Sequence, residues 1–317
     1  MTRHFQILIS ENMPSNLPAN TLIINEFSKI QNLLGQEFET ILFDARKGIH
    51  LEAFAIAAGT LKMNGTLIVL LSNWEKLHSQ IDEDSFRWSG SLESITTPRF
   101  MTYFKHCIHK YGFPVLYHQN DLKFDRTFQQ SFINHNATLD QQKIIEQILQ
   151  KESDLYFLTA KRGRGKSALA GLLANQLDTK IYLTAPNKSA VKILAEFSQK
   201  EIIFIAPDAL FLALQHDPSF SENAWLFVDE AAMLPIAQLS DFSQHFKHIL
   251  FTTTIHSYEG TGRGFELKFK QKINRTFSDF ELIEPLRWSK DDALEAFIDE
   301  LLLLDVEDEV KQTPYDK

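Results

Sequence analysis

Leu155-Tyr-Phe-Leu-Thr-Ala-Lys-Arg-Gly-Arg-Gly-Lys-Ser-Ala-Leu169 is the stretch that decides the fold. A short apolar run, Leu155–Thr159, reads as a buried strand and leads into a turn carrying Gly163 and Gly165. An apolar helical pattern then starts at Ser167 and runs to Leu177. The turn matches the phosphate-binding loop G-x-x-x-x-G-K-[ST], with Ala160 standing where the first glycine would be. Glycines there let backbone N–H groups turn inward around phosphate oxygens, and the following helix offers its positive end to the same anion. Lys166 is spaced to reach the β- and γ-phosphates of a nucleotide, and Ser167 to hold Mg²⁺.

Downstream, strand-like runs at Lys180–Thr184, Ile202–Ile205, Trp225–Val228 and His248–Thr253 alternate with helical patterns at Asn187–Gln199 and Pro207–Gln215. Such alternation predicts a doubly wound parallel sheet. Trp225–Val228 ends in Asp229-Glu230, the pair of carboxylates that the metal half of an ATP site needs. Asp229 would bind Mg²⁺ directly or through water, and Glu230 would polarise the attacking water as general base. Acids at a strand end also cap helices, but one placed a few α/β units after a phosphate loop points to chemistry. Upstream, Thr138 caps a helix over Leu139–Gln150, and the Gln141 amide could pair with both donor and acceptor of an adenine edge. The plain alternative for Gln141 is a solvated helix residue.

Two further segments carry polar chemistry. Thr252-Thr253-Thr254 places hydroxyls at a strand end beside the nucleotide, where they could sense a γ-phosphate. The glycine-rich Tyr258–Phe265 with Arg263, followed by Lys268, Lys270, Lys272 and Arg275, is the best local basic patch, suited to RNA backbone and bases. The same lysines fit the charged face of an amphipathic helix. Arg287, in Glu284-Pro-Leu-Arg-Trp288, could supply the guanidinium that ATP hydrolysis uses, or serve a structural ion pair.

Toward the N-terminus, Phe5–Ile9, Thr21–Ile24, Phe38–Phe43 and Thr66–Leu71 read as strands and Leu51–Lys62 as a helix broken at Gly65, a βαβ pattern. Residues 74–99 are polar and irregular, and Phe100–Tyr111 is helical. The mixed stretch over 113–136 marks a boundary. A chain of 317 residues suits two domains at ~150 residues each. Apolar residues at 44% and charged residues at 23% are globular proportions. The net charge of −9 excludes a uniformly basic nucleic-acid binder. Ten acids against two bases fall in residues 291–317, leaving 31 acids and 30 bases elsewhere. The single Cys107 excludes an internal disulfide and Cys-based zinc or iron–sulfur sites. Apolar runs such as Leu67–Leu71 are far short of the ~20 residues that span a bilayer. Met1–Ser10 has no signal-peptide layout. A soluble cytoplasmic protein is expected.

Taken in order, these motifs resemble the bacterial tRNA(Met) cytidine acetyltransferase family. The resemblance rests on Thr159–Ser167, Asp229-Glu-Ala-Ala232 with Pro235, Tyr258–Phe265 and Glu284-Pro-Leu-Arg287, and toward the N-terminus on Phe43-Asp-Ala-Arg46, Gly59-Thr-Leu-Lys62 and Asp84-Ser-Phe-Arg-Trp88. It implies an α/β fold class: a Rossmann-like α/β domain over 1–118, a linker over 119–136, a RecA-like P-loop NTPase and RNA-helicase-like domain with a parallel sheet over 137–305, and an acidic tail or truncated linker over 306–317. It implies ATP and Mg²⁺ as cofactors, held by Gln141, by Ala160, Lys161, Arg162, Gly163, Arg164, Gly165, Lys166, Ser167, Ala168 and Leu169, and by Arg287, with Arg263 the alternative guanidinium. Lys166, Asp229, Glu230 and Arg287 would be catalytic, and Ser167 and Asp229 the metal ligands. The implied partner is elongator tRNA(Met), whose wobble cytidine such enzymes convert to N4-acetylcytidine from acetyl-CoA, with no DNA or membrane involved. Family members continue into an acetyltransferase domain that this sequence does not show, so acetyl-CoA is expected only with a separately supplied domain or subunit. The chain would be a truncated protein, a gene fragment or half of a split enzyme. A nucleotide- and tRNA-binding scaffold without turnover is the alternative, and the intact Lys166, Asp229 and Glu230 argue against it.

Overall fold

The computed structural model describes residues 3–27, 30–33, 36–124, 136–150, 152–161, 163–186, 188–254, 268–286 and 288–304. The chain is a mixed α/β protein built on two all-parallel sheets. The first sheet contains β1 (His4–Ile9), β2 (Leu22–Ile24), β3 (Phe38–Asp44), β4 (Leu61–Leu71) and β7 (Val115–Leu116), in the order β2-β3-β4-β1-β7. Helices α1 (Leu51–Thr60) and α3 (Pro98–Lys110) cover one face. The alanine-rich run of α1 lets its backbone approach the sheet, and Ala53, Ala55 and Ala57 are wholly buried. The helix expected to reach Lys62 stops at Thr60, because β4 starts at Leu61 and runs through Gly65. The strand bulges there: Asn64 lies at φ +60°, and a Cβ on Gly65 would stand 2.8 Å from the Glu39 carbonyl oxygen. The irregular 74–99 segment holds short elements before α3 starts: a 3-10 turn at Leu77–Ser79, an antiparallel pair of β5 (Ile81–Asp82) and β6 (Ile95–Thr96), and a single turn, α2 (Ser85–Trp88).

The second sheet has the order β10-β9-β11-β12-β8-β13, with β8 (Leu155–Ala160), β9 (Lys180–Thr184), β10 (Ile203–Phe204), β11 (Ala224–Val228), β12 (His248–Thr254) and β13 (Phe277–Leu282). Residues alternate between its two cores, Tyr156 and Leu158 facing one and Leu155 and Phe157 the other. Strands buried on both faces read as unbroken apolar runs, which is why β8, β9 and β11 stand out in the sequence. Helices α4 (Leu139–Leu149), α5 (Lys166–Gln176) and α6 (Ser189–Phe197) lie with one core, α7 (Pro207–His216) and α8 (Ile236–His245) with the other. Gly171 permits the close approach of α5 to α6, since a Cβ there would stand 2.6 Å from the Leu194 carbonyl oxygen.

Packing departs from the expected boundaries in two places. The linker expected over 119–136 begins as part of the first unit: Leu122 is buried on the open face of the first sheet, and the Lys123 carbonyl accepts from Gln6 Nε2 at 2.7 Å. Residues 125–135 of that linker and the tail over 306–317 lie outside the described residues. Helix α9 (Ala293–Leu301), expected to close the second domain, packs on the first: Leu294, Phe297, Ile298 and Leu301 join the core of α1 and α3. Phe297 meets Phe5 and Phe113 at ring-centre distances of 5.3 Å each. A four-residue apolar stripe is enough to move a helix from one domain's surface to another's core.

Candidate nucleotide site

Strand order sets the site. β12 lies between β8 and β11, so the loop after β8 and the carboxylates after β11 face each other across the end of β12. The loop turns through Gly163 at φ +74° and Gly165 at φ +82°. Both positions are closed to a side chain: a Cβ on Gly163 would stand 2.8 Å from Trp288 Cη2, and one on Gly165 2.8 Å from Gln141 Nε2. Like α3, α6, α7 and α8, helix α5 starts with no capping side chain, following Gly165. Its first N–H groups are left for an anion.

At the strand ends, Lys166 Nζ donates to Thr254 Oγ1 at 2.9 Å and lies 3.7 Å from Glu230 Oε1. Thr254 in turn donates to Glu230, from Oγ1 at 2.7 Å and from its backbone N–H at 3.2 Å. Glu230 adopts left-handed backbone angles, φ 48° and ψ 48°, a strained conformation for a residue with a Cβ. Asp229 accepts from Thr252 Oγ1 and, at 3.5 Å, from Ser167 Oγ. It is 7% exposed, and burial together with the neighbouring Glu230 carboxylate pushes its carboxyl above the usual range. The buried Asp229 and the partly exposed Glu230 set two adjacent carboxylates beside Lys166. That donor set fits a divalent cation carried in with a nucleotide, with Ser167 and Asp229 as its protein ligands. Among the described residues no group of three or more His, Cys, Asp or Glu gathers into a metal cage, and a phosphate-borne Mg²⁺ needs none.

The other side of the loop is tied to α9. Lys161 Nζ reaches Asp299 Oδ2 at 2.8 Å, and Arg164 Nη2 reaches Glu295 Oε1 at 2.7 Å. Trp288 Nε1 donates to the second Glu295 oxygen at 2.7 Å. Lys161 and Arg164 are thus each engaged by a carboxylate of α9. Ala160 and Leu169 are fully buried in the sheet core and Ala168 is 6% exposed, so these can serve only through the backbone.

Gln141 is buried, but its amide is engaged within the protein. Oε1 accepts from the Thr138 N–H at 3.0 Å in a capping box, and Nε2 donates to the Gly165 carbonyl at 3.1 Å. The observed contacts fix the loop against α4. Arg162, Arg287, Arg263 and the stretch Tyr258–Phe265 lie outside the described residues. Of the basic patch, Lys270 pairs with Asp279 at 2.5 Å and Arg275 donates to the carbonyls of Ser243, Phe246 and Lys247. Those two are structural; Lys268 and Lys272 are exposed. Glu295 and Asp299 are the residues that sequence reasoning missed, and the signal was their four-residue spacing opposite the apolar stripe of α9.

Comparison with known proteins identifies the family. Residues 157–305 match the family described as RNA cytidine acetyltransferase NAT10/TcmA, helicase domain, and residues 6–119 match tRNA(Met) cytidine acetyltransferase TmcA, N-terminal. The chain belongs to the tRNA(Met) cytidine acetyltransferase family. It is 59% identical over 318 residues to the tRNA(Met) cytidine acetyltransferase TmcA of Haemophilus influenzae, covering 99% of this chain and 48% of that protein. It is 40% identical over 310 residues to the TmcA of Haemophilus ducreyi, covering 95% of this chain and 51% of that protein. The chain thus spans about half the length of the curated relatives it matches. Among solved structures, the Pif1 helicase from Candida albicans aligns at 14% identity with a TM-score of 0.34, over 48% of this chain and 40% of that one. The family named by the motifs is thus the family found, and no helix among the described residues is long and apolar enough to cross a membrane.

Proposed function

We propose that this chain binds ATP with Mg²⁺ at the loop after β8 and hydrolyses it, and that the hydrolysis drives the presentation of elongator tRNA(Met) for N4-acetylation of its wobble cytidine. The observation that carries the reading is the Lys166–Thr254–Glu230 chain, set across β12 from the Asp229–Ser167 pair. Lys166, held by a hydroxyl and only 3.7 Å from a carboxylate, moves from Thr254 to the terminal phosphates when a nucleotide enters. Thr254, released by Lys166, keeps its bond to Glu230 and orients that carboxylate to accept a proton from the attacking water. A Mg²⁺ held by Ser167 and Asp229 would neutralise charge on the phosphate oxygens. A guanidinium from Arg287, or else Arg263, completes the charge stabilisation. Acetyl-CoA enters this reading only with an acetyltransferase domain, since the phosphate cradle described here is assigned to ATP.

The test is phosphate release by the purified chain with Mg²⁺ and ATP, with and without tRNA(Met) transcript. Turnover that rises with the transcript supports the reading. ATP bound without turnover under either condition supports a nucleotide-binding scaffold instead.

A further inference from the structure

Glu295 occupies a junction. Its carboxylate receives Arg164 from the phosphate loop and the Trp288 indole, and the Trp288 ring lies against Gly163. Its backbone N–H donates to Asp292 Oδ1 at 2.9 Å, capping α9. Asp292 is itself buried against Arg3, with Arg3 Nη2 at 2.7 Å from Oδ1 and both side chains almost wholly out of solvent. The Arg3 guanidinium also lies over the Trp288 ring at 3.8 Å, and its Nη1 donates to the Ala58 carbonyl at the end of α1. One turn further along α9, Asp299 holds Lys161. The opposite face of the helix is set in the core of the N-terminal unit through Leu294, Phe297, Ile298 and Leu301.

We infer that Glu295 is a positioning residue for the phosphate loop, and that α9 links nucleotide occupancy of that loop to the N-terminal unit through Asp292 and Arg3. The inference rests on the ATP reading above for its ligand, and on the contacts just given for its path. The physical argument is preorganisation. The loop must hold its N–H groups inward before phosphate arrives, and left-handed glycines do not hold themselves. Arg164 on Glu295 and Lys161 on Asp299 pin two points of the loop to one helix, and Trp288, held by Glu295, backs Gly163. That helix cannot shift without disturbing a buried ion pair and an aromatic core in the other unit. By linkage, whatever moves the N-terminal unit on α9 changes nucleotide affinity, and nucleotide binding tightens the docking by the same factor.

Two readouts on the whole chain test this. One is the Kd for ATP with Mg²⁺, and the other is hydrogen exchange of peptides covering residues 160–170 without nucleotide. Glu295→Ala is expected to raise the Kd on the order of tenfold, the scale of one charged hydrogen bond, and to speed loop exchange. Glu295→Gln, which keeps the shape and one acceptor, falls between Glu295→Ala and the original chain, and serves if the alanine variant does not fold. Arg3→Lys keeps the charge but loses the forked contact, and shifts both readouts in the same direction by less. Unchanged Kd and exchange in folded Glu295 variants overturn the positioning role. Unchanged loop exchange in Arg3→Lys overturns the link to the N-terminal unit. Faster exchange in a chain that binds no ATP upholds the positioning and sinks the ATP reading.

Discussion

The two sheets share a parallel, helix-covered plan, yet their C-terminal edges are chemically opposite. In the first, β3 ends in Asp44, and Arg46 returns to it through Nε at 2.8 Å and Nη2 at 2.6 Å. Partial burial opposes ionisation there, but the Arg46 bonds prevail and hold the Asp44 carboxyl below its usual range. In the second, β11 runs into Asp229, whose neighbour is another carboxylate and whose own carboxyl is pushed up. One edge is neutralised by its own chain two residues on. The other sets two carboxylates side by side, with Glu230 in a left-handed conformation and a helix starting on the glycine turn. The topology supplies a crest in both units, and the side chains at each crest decide what it can do.

That contrast can be broken from either side. Lys166→Ala should produce the largest effect, a fall of ~100-fold or more in ATP turnover with weakened binding, because it removes the cation aimed at the transferring phosphate. A phosphate-release assay checks it, and turnover equal to that of the original chain would contradict the site assignment. Asp44→Asn should instead leave turnover unchanged and lower unfolding stability by about 1 kcal/mol, since it only weakens a partly exposed ion pair. Urea unfolding alongside the same assay separates the two sides of the comparison. The smallest change concerns Glu300, where α9 meets α3. Lys110 and then Tyr111 donate to Glu300 and hold its carboxyl below the usual 4.5. A carboxyl lowered on folding adds stability that is complete above pH 4.5 and is lost as pH falls through the folded value. Glu300→Gln should therefore cost only ~0.5 kcal/mol at neutral pH, after solvent screening, and less at pH 3. Unfolding midpoints at the two pH values check the sign.

The sequence made some of this plain and concealed the rest for physical reasons. β9 is legible to the residue because it is buried on both faces and bounded by polar turns. β13 is not, because an edge strand carrying Asp279 and Glu281 alternates half-exposed residues and shows no apolar run. α8 escapes for a similar reason, with Gln238, Asp241 and Gln244 interrupting its buried Leu239 and Phe242. α9 was hidden by its charge. The acids from Asp291 onward drew the eye to charge, while the spacing of Leu294, Phe297, Ile298 and Leu301 marks a helix with a buried face. Lys166, Ser167, Asp229 and Glu230 were legible as a set because nucleotide chemistry demands those groups in that order, and the structure brings them together. What pins the loop in place was not, because Glu295 and Arg164 are 131 residues apart and no local pattern joins them.

The central claim is that the crest of the second sheet turns ATP over through Glu230. Single-turnover mixing of the chain with ATP and Mg²⁺, original against Glu230→Gln, tests it most directly, because the amide keeps the shape of the carboxylate but cannot take up the proton of the attacking water. The account predicts that Glu230→Gln binds ATP with the original Kd and releases phosphate at least ~100-fold more slowly. Phosphate release by Glu230→Gln at the original rate would contradict it.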